Sequence, residues 1–172
     1  ENRGPEVGAT IAHPHGQIYA YDHVPERPAR LLDAKWTPDL HPGERLVAEH
    51  GGWLAAVPPA STYPIALSLA PRLQVPDLVA LDGAGRDDLA ALLTDVMARL
   101  DRLFDRPLPY MMWLNQRPTD GGEWPQAWFN IEIVSPWRSA GLNSIASKGS
   151  GSPSSLTMLP RCRSPWPSRT RP

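Results

Sequence analysis

Leu89, Leu92, Leu93, Val96, Met97, Leu100, Leu103 and Phe104 recur at three- and four-residue intervals, the clearest periodicity in the chain. A helix brings such positions onto one face, and the spacing predicts one of about six turns over 84–105. Asp87 and Asp88 near its start and Arg99 and Arg102 near its end suit the two poles of the helix dipole. The apolar stripe needs a cover, either a partner's groove or, as is ordinary, a sheet of the same domain. Proline counts against further long helices: 21 of the 172 residues are proline, which favours loops and edge strands.

The strand signals are short. Residues 13–21 run from alternating histidines into "QIYAY" and predict a strand. Residues 22–43 hold four prolines and no clean period, so they are expected to be mostly loop. "RLVAEHGGWLAAVPP" (45–59) predicts a hairpin turning at Gly51-Gly52. "YPIALSLAPR" (63–72), "PYMMWLNQ" (109–116) and "AWFNIEIVS" (127–135) predict three more strands, with a polar loop between the last two. One long helix against antiparallel strands is an α+β layer architecture. The tail after Ser147 has no period, no acidic residue and five basic ones, and is expected to be disordered.

Bulk properties exclude several classes. With 17 basic and 18 acidic residues the formal charge is −1, which gives no electrostatic footprint for nucleic acid or an anionic membrane surface. No apolar run approaches the roughly 20 residues of a membrane-spanning helix. A single cysteine, Cys162, rules out an internal disulfide framework and fits a reducing, cytoplasmic setting. The chain begins at Glu1 rather than methionine, which reads as a piece of a longer frame.

Chemistry concentrates in "AHPHGQIYA". On a strand, His13, His15 and Gln17 would share one face, and Gly16 would let backbone or ligand approach closely. Three readings fit that patch. It is a solvated polar face, or a metal-ligand pair, or a nucleophilic imidazole with an amide donor beside it. His23, His41 and His50 have no ligand spacing that would close a zinc site within the chain. Spacing alone leaves the three open.

The flanks add a resemblance. "ENRGPEVGATIAHPHGQIYA" is similar to the active-site segment of galactose-1-phosphate uridylyltransferases. They share a Glu-Asn-basic-Gly start, a glycine a few residues on, and then His-Pro-His-Gly-Gln-Ile-aromatic-Ala. The likeness continues more loosely through "GGWLAAVPPASTYPIALSLAPR", the long helix, "LPYMMWLNQRPTDGG" and "SPWRSAG", covering about residues 1–147. It implies a histidine-triad-like half-barrel, an antiparallel sheet packed with one long helix, forming the C-terminal half of such an enzyme. Residues 148–172 would be a disordered tail.

The resemblance implies that His15 attacks the α-phosphorus of UDP-glucose, and that the uridylyl group then passes to galactose 1-phosphate. Gln17 would bind phosphoryl oxygens, Asn2, Gly8 and Thr10 would contact the nucleotide phosphates, and His13 would be one zinc ligand. The other ligands would lie in an N-terminal half. A homodimer is implied; Trp36 or Trp53 could serve that surface, although core or loop packing is the more ordinary role for them. A hydrolase of the superfamily usually has histidine where Gln17 stands; a carboxamide does no acid–base work near neutral pH, which favours transfer. Related ADP-sugar or dinucleoside phosphorylases, and a non-catalytic truncated product, are the alternatives. The isolated chain is expected to be inactive.

Two departures matter. The last-strand histidines that bind a second metal in some members are replaced here by Trp128, Phe129 and Asn130, and the upstream histidine near "WLNQ" is missing, so no second metal site is expected. The lysine and glutamate that meet the hexose phosphate have no counterpart in "LNSIASKGSGSPSSL". A frameshift near Ser147 is the hypothesis for that loss. The nucleotide sequence tests it, since an acidic, family-like peptide must then lie in another frame.

Overall fold

The computed structural model describes residues 1–11, 16–104 and 106–137. Six strands form one antiparallel sheet: β1 (Asn2–Arg3), β2 (Leu46–His50), β3 (Trp53–Ala56), β4 (Ile65–Pro71), β5 (Tyr110–Asn115) and β6 (Asn130–Ser135). Their spatial order is β1-β5-β6-β4-β3-β2. Two helices join them, α1 (Glu26–Asp33) and α2 (Gly83–Leu100). The α+β class and the antiparallel sheet carrying one long helix are as the sequence predicts. The four expected strand regions at 45–59, 63–72, 109–116 and 127–135 all contain strands.

Register fixes which residues share a face, because paired residues of an antiparallel sheet point the same way. Leu114, Ile131, Leu69 and Ala55 form one row across four strands. The next row, Trp113, Glu132, Ser68 and Ala56, points to the other side. The first face is apolar and meets α2. His50 belongs to it through its pair Trp53, and its Nε2 lies 3.6 Å from Asp95 of α2. Leu92, Val96 and Leu100 of α2 are fully buried, as are Leu69, Ile133 and Phe129. Trp53 meets Phe129 edge-on, ring centroids 5.7 Å apart, an arrangement the aromatic quadrupole favours.

α2 ties the two edges of the sheet together. Eighteen residues span about 27 Å, and six strands about 24 Å. At its start Asp82 caps the helix by accepting from the Gly85 N–H at 2.7 Å. One turn on, Asp88 accepts from the Gly52 N–H at 2.9 Å and so grips the β2–β3 turn. Past its other end Asp101 holds Arg3 of β1.

Three expectations need correction. α2 ends at Leu100 rather than at 105; Asp101 caps it, and Leu103 and Phe104 lie in the turn beyond, where Phe104 meets Trp137 edge-on. Residues 22–43 contain a helix, α1, despite their prolines. Pro28 falls in its first turn, where backbone N–H groups have no intrahelical acceptor, so the missing donor costs nothing. In the strand expected at 13–21, residues 16–21 form no strand and pair with none of the six, and Ile18, Tyr19 and Tyr21 are exposed. Of the two tryptophans weighed for a subunit surface, Trp53 packs in the core, the more ordinary role, with 1 % of its area accessible. The expected disorder of 148–172 lies outside the described residues.

Candidate active site

The segment leading to the histidines starts on β1. Glu1 and Met112 exchange backbone hydrogen bonds, both at 2.8 Å, which makes Asn2–Met111 the adjacent non-hydrogen-bonded pair. Arg3 points to the α2 side with its pair Tyr110. Its guanidinium lies 4.6 Å from the Tyr110 ring centroid, donates to the Leu108 carbonyl from Nε (3.0 Å) and Nη2 (2.7 Å), and ion-pairs with Asp101. The Tyr110 hydroxyl donates to Glu1 Oε1 at 2.6 Å. Burial, and next the Glu1 carboxylate, push that phenol well above its ordinary range.

After β1 the chain folds into a compact turn. The Gly4 carbonyl accepts from both Val7 and Ala9 N–H groups, and Gly8 donates to Pro5. Gly4 has φ +98°, and a Cβ there would come within 2.7 Å of Pro109 Cβ, so both conformation and space demand glycine. Gly8, at φ +83°, closes the turn and is exposed, as are Thr10 and Asn2. Gln17 is also exposed, its Oε1 accepting from the Tyr19 hydroxyl. His13 and His15 lie outside the described residues. The structure thus brings Asn2, Gly8 and Thr10 onto one short turn-and-strand segment.

The face opposite α2 carries a polar cluster. Asn115 donates to Asn130 Oδ1 at 2.8 Å and to Glu132 Oε1 at 3.2 Å, and Glu132 pairs with Arg27 from α1. Asn130 is buried and donates to the Trp128 carbonyl; the Trp128 indole donates to Pro71. Carboxamides already bonded to each other, and a carboxylate already paired with a guanidinium, do not make the nitrogen-rich donor set of a transition metal. Among the described residues no group of three or more His, Cys, Asp or Glu could hold a metal ion. Beside the cluster a cleft lies between α1 and the sheet, lined by Leu32, Trp36, Asn115, Gln126 and Trp128. Sequence reasoning missed Arg27, since it sits in a stretch read as loop.

The model of the galactose-1-phosphate uridyl transferase C-terminal domain matches residues 11–146. Galactose-1-phosphate uridylyltransferases from Streptomyces lividans and Thermotoga maritima are 37% and 36% identical over 136 and 131 residues, each covering 69% of this chain. The chain spans only 38% and 41% of those relatives' lengths. Among solved structures, one titled a uridylyltransferase superposes with TM-score 0.70 at 28% identity, over 78% of this chain and 46% of that one. An ADP-glucose phosphorylase from Arabidopsis thaliana shares the fold, with TM-score 0.68 at 22% identity, over 85% of this chain and 50% of that one. With well over half its residues inside the matched domain, the chain belongs to the galactose-1-phosphate uridyl transferase C-terminal domain family.

Proposed function

We propose that this chain serves uridylyl transfer between UDP-glucose and galactose 1-phosphate, with His15 as the nucleophile, in a protein as long as its relatives. The observation that carries the reading is the His13–Gln17 run standing inside the matched family domain. An imidazole nitrogen of His15 attacks the α-phosphorus. The bond from that phosphorus to the bridging oxygen breaks, and glucose 1-phosphate leaves with the electron pair. A phosphate oxygen of galactose 1-phosphate then attacks the uridylyl-histidine, which forms UDP-galactose and frees the ring.

Both leaving group and acceptor are ionised phosphates, so no general acid is needed at the position of Gln17. Its carboxamide donates to the phosphoryl oxygens as charge builds on them. Asn2 and Thr10 add polar side chains, and Gly8 a close backbone approach, to the nucleotide phosphates. His13 supplies one ligand to a zinc ion whose other ligands come from the part of the relatives' length that this chain does not span; bound there, zinc would brace the segment that carries His15. Residues 1–147 act as the domain and 148–172 take no part in the chemistry. The active protein is a cytoplasmic homodimer.

The test is a full-length protein containing this chain, incubated with UDP-glucose labelled in the uracil ring. An acid-labile uridylyl adduct is expected, lost on His15→Ala. Retention of the adduct in that variant sinks the assignment, and an adduct formed from ADP-glucose alone moves it to adenylyl transfer.

A further inference from the structure

Arg3 meets a carboxylate, a backbone carbonyl and an aromatic ring, yet it points away from the face on which Asn2 stands. The pairing shows this twice. Arg3 sits opposite Tyr110, which lies two and four residues along β5 from Met112 and Leu114 on the α2 side. It also reaches Asp101, at the end of α2. Asn2, one residue away, must then project to the opposite face, in the row of Met111 and Val134 and beside the row holding Trp113 and Glu132.

We infer that Arg3 is a positioning residue: its fork onto Asp101 and the Leu108 carbonyl locks the register of β1 and so holds Asn2 on the face opposite α2. This rests on the assignment of Asn2 as a phosphate contact made above. The need for a lock is physical. β1 is two residues long, neither of them buried, and a slip by one residue would turn Asn2 toward the helix. Arg3 supplies what length does not. Its Nη1 donates to Asp101 Oδ2 at 3.2 Å, its Nη2 reaches Oδ1, and both Nε and Nη2 reach one carbonyl. The same carboxylate accepts from the Leu108 N–H at 3.4 Å. The Tyr110 ring lies under the guanidinium. Gly4 follows at once, where only glycine lets the chain turn beside Pro109. A lysine could reach Asp101 but could not span carboxylate and carbonyl together.

Two experiments test this. In the 172-residue chain with Cys162→Ser, the pair Asn2→Cys and Met111→Cys should close to a disulfide under mild oxidation, because the two positions face each other as a non-hydrogen-bonded pair. Adding Arg3→Ala should slow closure roughly ten- to hundredfold, the factor expected for losing hydrogen bonds to charged groups. Asp101→Asn should slow it in the same sense, and Arg3→Lys should restore it only in part. Unchanged closure in both Arg3→Ala and Asp101→Asn overturns the proposal.

In the full-length protein, Arg3→Ala should lower kcat/KM for the sugar nucleotide, and the loss should vanish in an Asn2→Ala background. An equal loss in both backgrounds means that Arg3 supports the fold at large, which also overturns it. If the unmutated protein forms no uridylyl adduct, the functional reading falls while the disulfide result still decides the register lock.

Discussion

Gly51→Ala isolates the grip of α2 on the β2–β3 turn. Gly51 has φ +48°, and a methyl group there would run into the Asp88 carboxylate. That carboxylate is the acceptor for the Gly52 N–H. Two costs follow. Placing an L-residue in the left-handed region costs about 1–2 kcal/mol. Displacing the Asp88 side chain forfeits a charge-assisted hydrogen bond, worth about 1.5 kcal/mol at an exposed turn. Gly51→Ala should therefore destabilise by roughly 3 kcal/mol and Asp88→Ala by roughly 1.5 kcal/mol. The double variant should cost no more than Gly51→Ala alone, since the bond can be lost only once. The assay is urea unfolding followed by tryptophan fluorescence, with Trp53 buried at the start of β3 as the reporter. Effects that add to within about 0.5 kcal/mol would refute the reasoning, because additivity means the two residues do not share an interaction.

The core and the acid limb give two further expectations. Phe129→Ala should cost about 3–5 kcal/mol, because the ring is fully buried and edge-on to Trp53; a loss below about 1 kcal/mol in the same urea assay would contradict the packing described. The Arg99 fork on Asp95, at 2.9 and 3.0 Å, holds that carboxyl below its ordinary 3.8, with His50 adding to the effect. A folded-state value below the unfolded one contributes stability that is present above about 3.8 and lost as pH falls through the lowered value. Arg99→Ala should raise the Asp95 midpoint in a carbon-13 carboxyl titration, and an unmoved midpoint would show that the fork does not set it.

Which parts of the molecule could be read from sequence depended on the range of the force that makes them. α2 was legible because its determinant is local: eight apolar residues at helical spacing state a face whatever lies opposite. Its end was misread because Leu103 and Phe104 continue the spacing in a turn, where Phe104 finds Trp137, thirty-three residues further on. α1 was hidden by Pro25 and Pro28, which signal loop by composition and are harmless at a helix start. β1 gave no signal at all. Two residues have no period, and their partners are remote: the backbone bonds of Glu1 go to Met112, and Arg3 reaches Asp101, ninety-eight positions away.

The segment after the histidines shows the converse. Gly16 to Tyr21 alternates as a strand should, yet alternation only describes a face, and a strand also needs an edge to pair with. A candidate site could therefore be proposed from "HPHGQ", while the course of the chain after it could not. Chemistry was written in adjacent residues. The position of Asn2, on which that chemistry would depend, is set by an arginine pointing the other way, held by a carboxylate at the far end of the sequence's one obvious helix.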